Sequence, residues 1–436
     1  MKVGVISLGC VKNRVDTEQM LSILAQHGFT LTQQANEADI LIVNTCGFIN
    51  PAKEESIDTI LEMAGYKKTG KCRLLVVTGC LSQRYGRELL SDMPEADLIV
   101  GINQYDMLPA LIEKALKGER ILETKRRTMA PCGGRILTTK PYTAYVRIGE
   151  GCDNRCAYCA IPLIRGGHVS RTQDDVLSEM KRLASLGAKE QILIAQDTTR
   201  YGQEWAGVDL ARLMDKASQI PGIEWLRVLY CYPDETPLSL IDLMAERSNI
   251  CRYLDLPLQH ASPTLLKKMN RRGDIDQIKK LLLHARSKGF ALRTTFIVGF
   301  PGETEEDFEV LMRFTREMAF DRMGAFAYSP EEDTPAATMA DQVPEEVKQE
   351  RLDRLMALQK EISLERNRLR VGTEEKVLIT GRRGGKYTAR SEWEAPDADG
   401  EIMVSSDVPL TEGSFFTVKI TSADAYDLNA VFVPKE

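Results

Sequence analysis

The stretch "EGCDNRCAYCAIPLIRGG", residues 150–167, places Cys152, Cys156 and Cys159 within eight positions. Three thiols so close are one short of the tetrahedral set that holds a structural zinc ion. His168 is the nearest further ligand, and its distance past Cys159 does not match the common finger spacings. A disulfide would leave an odd cysteine and belongs to oxidising compartments. A third reading is a four-iron cubane held by three thiolates, with one iron left without a protein ligand and open to a small molecule. Spacing favours the cubane and leaves zinc open.

The position of this stretch decides the fold. It follows the strand-like "TAYVRIGEG" at the head of a series of apolar strands alternating with amphipathic helices. The other strand candidates are "QILIAQ", "WLRVLYCY", "RYLDLPLQ", "ALRTTFIVGF" and "RMGAFAYS"; helical segments such as "TQDDVLSEMKRLASLG" and "DIDQIKKLLLHARSKG" lie between them. Six repeats in series predict an open (β/α)6 partial barrel over residues 138–370, closed by the charged helix "PEEVKQERLDRLMALQKEISLERNRLR". Residues 1–125 also alternate, with strands at "KVGVISLGC", "ADILIVNTCGF", "RLLVVTGC" and "ADLIVG", and predict a parallel-sheet α/β domain. The basic run "TKRRTMAPCGGR" between them reads as a linker. Residues 371–436 lose the helical pattern and show five short strands, predicting a small OB-like β-barrel.

The amino-terminal domain holds a second trio. Cys10, Cys46 and Cys80 each end a predicted strand beside a glycine, in "SLGC", "NTCG" and "VTGC". Strands of a parallel sheet present their carboxyl ends at one edge, so three cysteines in phase converge however far apart they are in sequence. One cysteine at a strand end is usually a small buried apolar residue. Three in phase point to metal or cluster binding. Cys72 sits near the other end of its strand, and Cys132, Cys231 and Cys251 lack partners.

Composition narrows the class. The chain has 436 residues, 57 Lys+Arg against 63 Asp+Glu, and no run of ~18 apolar residues that would span a membrane. Its start turns polar too soon for a signal-peptide core. The expectation is therefore a cytoplasmic protein with reduced cysteines, no membrane association, and no charge-based reason to have nucleic acid as its main partner. Ligand-facing positions at the strand ends include Gln196 and Asp197, Gln259 and His260, and the turn "GFPGE" from Gly299 to Glu303. His27 and His284 lie in helical patterns and read as surface or packing residues. Two incompletely ligated clusters suit chemistry better than electron transfer, for which closed four-cysteine ligation protects the cluster. A non-catalytic protein with two structural zinc sites remains the alternative; it would be colourless and free of iron.

"CDNRCAYC", with its aromatic Tyr158, resembles the radical S-adenosylmethionine (SAM) enzymes. Over nearly the whole chain the arrangement resembles the methylthiotransferases, which carry a three-cysteine domain, a radical SAM core and a TRAM domain in this order. The resemblance implies one [4Fe-4S] cluster on Cys152, Cys156 and Cys159 that binds SAM, and an auxiliary [4Fe-4S] cluster on Cys10, Cys46 and Cys80. It also implies two SAM consumed per turnover, one as methyl donor and one as radical source, and a low-potential electron donor such as flavodoxin or ferredoxin. Tyr158, Gln196, Gly299 and Glu303 are the candidate SAM contacts.

Two branches of the family compete, one modifying tRNA and the other an aspartate β-carbon of ribosomal protein S twelve. The phrases "SLGCVKNRVDTEQM", "NTCGFINPAKEES", "AQDTTRYG", "LPLQHASPTLLKKMNR" and "ARSEWEAPDADG" resemble the ribosomal-protein branch. The tRNA branch typically reads "GCQMN" and "LPVQSGS" at two of these places. Residues 371–436 carry 7 Lys+Arg against 12 Asp+Glu, a charge that suits a basic protein better than RNA, although Arg382, Arg383, Lys386 and Arg390 keep RNA contact open. The implied partner is therefore ribosomal protein S twelve or the small ribosomal subunit, with tRNA disfavoured.

Overall fold

Runs of Val, Ile and Leu make the amino-terminal sheet: β1 (Lys2–Ser7), β2 (Thr30–Leu31), β3 (Ile40–Thr45), β4 (Leu74–Gly79), β5 (Leu98–Val100) and β6 (Ile121–Glu123). The computed structural model describes residues 1–129 and 133–434; Cys132 lies outside the described residues. The strands are parallel, in the order β2-β1-β3-β4-β5-β6. Every residue of β3 and β4 is buried, as expected where helices cover both faces of a parallel sheet. Those helices are α1 (Val11–Gln26), α2 (Asn50–Thr69), α3 (Cys80–Asp92) and α4 (Leu108–Ala115). Alternate side chains serve opposite cores. Ile40, Ile42 and Val76 pack with Met20, Leu24 and Leu111, whereas Leu41, Val43 and Val77 pack with Ile60, Met63 and Leu89.

The chain forms two compact units, neither of them continuous in sequence. The first comprises Met1–Thr139, Tyr145–Glu179 and Ser329–Ala337; the second comprises Lys140–Ala144, Met180–Tyr328 and Thr338–Glu436. To the first unit the middle of the chain adds most of β7 (Thr143–Arg147), the ribbon β8 (Gly149–Glu150) with β9 (Val169–Ser170), the short helix α5 (Ile161–Arg165), and the start of α6 (Gln173–Ser185). The run read as a linker carries a buried anchor. Arg135 donates to Glu18 (3.0 Å), to Glu179 (2.7 Å) and to the Tyr145 carbonyl (2.6 Å).

The second unit contains β10 (Glu190–Ile194), β11 (Trp225–Val228), β12 (Tyr253–Asp255), β13 (Ala291–Val298) and β14 (Arg322–Ala327). Strand orders β11-β10-β7 and β12-β13-β14, with a parallel bridge from Leu226 to Ile250, lay the strands out in chain order, as an open (β/α)6 barrel requires. Helices α7 (Leu210–Ser218), α8 (Leu238–Glu246), α9 (Pro263–Lys268), α10 (Ile275–Ser287) and α11 (Glu305–Met318) intervene, and α12 (Glu345–Arg368) follows. Side-chain caps mark the starts of α7, α9, α10 and α11: Asp209, Ser262, Asp274, and Thr304 in a capping box with Asp307.

The last strands are β15 (Glu374–Arg383), β16 (Lys386–Ser391), β17 (Ile402–Ser405), β18 (Phe415–Ala423) and β19 (Leu428–Phe432), which close a barrel in the order β15-β16-β17-β19-β18. Charged residues set among apolar strand residues join this barrel to the rest of its unit. Glu190 accepts from Arg227 (3.2 Å) and Arg390 (2.6 Å), while Glu394 accepts from Arg322 (2.9 Å) and Ser391 (2.7 Å). Glu190, Arg227 and Glu394 are almost wholly buried, so removing one partner strands the others without water. Glu190→Gln is therefore expected to cost about 3–5 kcal/mol, measured as a lowered midpoint in urea.

Candidate active site

The end of β1 lies beside that of β3, and β3 beside β4, with Ser7 opposite Asn44 and Thr45 opposite Gly79. This register brings the loops bearing Cys10, Cys46 and Cys80 together. Cys10 is the N-cap of α1, Cys46 follows β3 directly, and Cys80 opens α3. Gly9 has φ +80°, and a Cβ there would lie 2.8 Å from the Cys46 Cβ and 3.1 Å from its Sγ. Only glycine lets the Cys10 loop approach this closely. Gly79, at φ +100°, has the Thr45 carbonyl 2.4 Å from where a Cβ would sit.

Asn13, fully buried one turn into α1, ties the loops together. Its amide donates to the carbonyls of Leu8 (3.1 Å) and Thr45 (2.9 Å), and its Oδ1 lies 3.6 Å from Cys80 Sγ. Asn44 in turn donates to the Asn13 carbonyl (2.8 Å), and Ser56 accepts from the Cys46 amide (3.0 Å). Burial pushes the Cys80 thiol up to about 12, with Arg165 opposing it, and burial also raises the Cys46 thiol. A bare thiolate at Cys80 is thus disfavoured, whereas a metal-bound one is neutralised by its ligand.

The short-spaced trio, Cys152, Cys156 and Cys159, sits on the loop between β8 and β9. The Cys152 amide donates to the Gly166 carbonyl (3.1 Å) and that of Cys159 to the Cys156 carbonyl (3.0 Å), closing the loop on itself. Cys156 is buried, while Cys152, Tyr158 and Cys159 are half-buried. His168 is buried with Nε2 3.0 Å from Ser170 Oγ. The return segment 329–337 closes on this unit as well. The Ala336 amide donates to the Ala157 carbonyl (2.9 Å), and Glu331 pairs with Lys53 (3.0 Å) and Arg84 (3.4 Å).

The two trios share this unit. Cys80 packs in one apolar cluster with Ala160 and Ile164, and Ala160 directly follows Cys159. Beside that cluster lies a network of four buried charges. Arg147 donates to Asp16 and to Glu150 (2.8 Å); Arg165 donates to Glu150 (2.8 Å), Asp16 (3.1 Å) and Asn13 Oδ1 (2.7 Å). Asn13, Asp16, Arg147 and Arg165 escaped the sequence reading. The legible signal was weak: polar residues on α1 just after Cys10, and two arginines flanking the short-spaced cysteines.

The remaining candidates lie in the second unit, at the ends of its strands. Gln196 comes two residues after β10, and Gly299, at φ +72°, follows β13 directly. Glu303 folds back on its own turn, accepting from the Gly299 (2.6 Å) and Phe300 (3.1 Å) amides and from Arg351 (3.2 Å). Burial drives its carboxyl up to about 7 against those donors. His260 is buried, with Nδ1 accepting from the Ser262 amide (3.0 Å), and burial lowers its ring to about 3; Gln259 beside it takes φ +72°.

Among the described residues no three His, Cys, Asp or Glu side chains stand close enough to share one metal ion. A four-iron cubane asks for a different arrangement, with each thiolate on its own iron. Both trios offer thiols only, and the trio of Cys10, Cys46 and Cys80 has the amino-terminal ends of α1 and α3 and a buried guanidinium around it. Positive helix ends and a cation suit an anionic thiolate cluster. The donor sets fit that group.

Residues 2–101 match the family described as uncharacterized protein family UPF0004, residues 146–315 the radical SAM superfamily, and residues 371–433 the TRAM domain. The fold is also that of solved radical SAM proteins. The methyltransferase TsrM of Kitasatospora setae superposes with a TM-score of 0.57 at 14% identity, over 77% of this chain and 76% of that one. Fold and cysteine sites together define a radical SAM enzyme with an additional three-cysteine domain and a TRAM barrel. Its sequence relatives narrow the class. The chain is 48% identical to the ribosomal protein uS12 methylthiotransferase RimO of Desulforudis audaxviator, over 98% of this chain and 96% of that protein. It is 50% identical to the RimO of Pelotomaculum thermopropionicum, over 98% of both. The chain belongs to the RimO methylthiotransferase family.

Proposed function

We propose that this protein transfers a methylthio group to the β-carbon of an aspartate in ribosomal protein uS12, consuming two SAM per turnover. Cys152, Cys156 and Cys159 would hold the SAM-binding [4Fe-4S] cluster, and Cys10, Cys46 and Cys80 a second one. When bound, these groups supply the one-electron cleavage of SAM and the sulfur that the substrate carbon takes up. The observation that carries the reading is that Cys80 shares an apolar cluster with Ala160, the residue after Cys159, within one compact unit.

The chain's own residues do the positioning. Asn13 holds the three amino-terminal loops together, and the β8–β9 ribbon closes the loop of Cys152, Cys156 and Cys159. Glu303 orders the turn after β13 by accepting its amides, which supports Gly299 and Glu303 as part of the SAM site. Tyr158, half-buried between Cys156 and Cys159, and Gln196, at a strand end, are the other proposed contacts.

The closed barrel supports a basic protein as partner rather than tRNA. Of its candidate RNA-contacting residues, Arg390 is buried on Glu190, Arg383 pairs with Glu401 (2.9 Å), Lys386 bonds to Asn429 (3.0 Å), and Arg382 lies 4.5 Å from the Tyr387 ring centre. The expected setting is the cytoplasm, with flavodoxin or ferredoxin as electron donor. No helix among the described residues is long and apolar enough to cross a membrane. The test is mass spectrometry of ribosomal proteins and tRNA from a strain lacking the gene. Loss of methylthiolation from uS12 alone is expected, and loss from tRNA alone would overturn the assignment. Purified anaerobically, the protein should be brown with iron; a colourless zinc protein would count against it.

A further inference from the structure

We propose that Arg165 is a positioning residue that links the two cysteine trios and, through an N–H directed at Cys80, sets the reduction potential of the cluster held by Cys10, Cys46 and Cys80. The inference rests on the two-cluster reading above. Arg165 is six residues past Cys159, at the end of α5, yet its guanidinium lies against the other trio, with Nη2 3.4 Å from Cys80 Sγ. The side chain is 1% exposed, so water does not screen it.

Buried ion pairs are usually structural, and three features set this one apart. Nη2 has two hydrogens but three acceptors in reach: Asn13 Oδ1 (2.7 Å), Asp16 Oδ2 (3.1 Å) and Cys80 Sγ (3.4 Å). A metal-bound sulfur, carrying more negative charge than a thiol, draws one of those hydrogens to itself. Glu150 holds Nη1 while Asp16 shares Nη2 with the sulfur, and both carboxylates are also gripped by Arg147, so the guanidinium is tethered through both of its terminal nitrogens. Last, Asp16 and Asn13 lie on α1 directly after Cys10, whereas Glu150 and Arg165 bracket Cys152–Cys159. The same side chain therefore joins the ligand loops of both trios.

A donor to a cluster sulfur stabilises the more negative, reduced state and raises the potential. The test uses full-length protein with Cys152, Cys156 and Cys159 changed to alanine, reconstituted anaerobically. Four irons per chain should remain; if none do, it is the two-cluster reading that fails, not the role of Arg165. In this background Arg165→Met should shift the midpoint to more negative values by a tenfold change in the reduction equilibrium or more, ~59 mV for one electron. Arg165→Lys, which keeps the charge without the fork, should fall between. A fully loaded Arg165→Met protein with an unchanged midpoint overturns the proposal. Should that variant not load, the parent labelled with ¹⁵N-arginine decides. Pulsed EPR of its reduced cluster should show a guanidinium nitrogen coupling, and the absence of one overturns the proposal equally.

Discussion

Cys46→Ala should cleave SAM at the wild-type rate yet leave uS12 unmodified, whereas Cys156→Ala should neither cleave SAM nor modify uS12. Cys46 directly follows β3, and the backbone contacts that fold the β8–β9 loop, Cys152 to Gly166 and Cys159 to Cys156, do not involve it. Losing it removes one of the three proposed ligands, and Cys72, the further described cysteine of that sheet, is no substitute, because it sits before β4 and donates to the Leu74 carbonyl (3.4 Å). Even loss of an outer partner of a metal ligand typically costs 10–100-fold, so loss of a ligand should lower methylthiolation by at least about 100-fold. Cys156 is the buried member of the other trio, and its amide–carbonyl contact with Cys159 places both thiols on one turn. Production of 5′-deoxyadenosine reads the first activity and mass spectrometry of uS12 the second. Normal methylthiolation by Cys46→Ala would remove the auxiliary role; retained cleavage by Cys156→Ala would remove the other.

Glu179→Gln should destabilise the protein by about 3–5 kcal/mol at neutral pH and remove part of its acid sensitivity. Glu179 is buried between Arg135 (2.7 Å) and Arg171. Burial alone would raise its carboxyl, but Arg171 and Arg135 outweigh it and bring the group from 4.5 down to about 2. A depressed carboxylate stabilises the fold above its unfolded value and ceases to do so as protons bind. The contribution, about 3 kcal/mol, is therefore complete above pH 4.5 and fades as the pH falls toward 2. Urea midpoints at several pH values measure it as the difference between wild type and variant. That difference should shrink across this window, and a pH-independent difference would refute the assignment.

Several elements were legible without coordinates because their signals are local. The strands of the first sheet and of the partial barrel were marked by runs of Val, Ile and Leu, and helices such as α6 and α10 by their amphipathic pattern. β2 and β6 went unread: the two residues of β2 show no period, and the three of β6 are half-buried and end in a glutamate, unlike the apolar run of β5. The site was half legible. A three-residue spacing announces Cys156 and Cys159, and the phase of three strand ends announces Cys10, Cys46 and Cys80. Nothing local marks Arg135 as an anchor inside a Gly-rich basic run, or Arg165 as a neighbour of Cys80.

The sequence by itself determined the order of the longer strands and helices and the barrel class, and singled out the six cysteines proposed as ligands, because periodicity and cysteine spacing are properties of neighbours along the chain. Only the tertiary structure decided that residues 145–179 and 329–337 join the amino-terminal sheet in one compact unit, and that Arg165 meets Cys80 across 85 positions. Those outcomes depend on pairing charges that burial would otherwise leave unsolvated. Such partners are chosen by proximity in space, which a linear pattern does not encode.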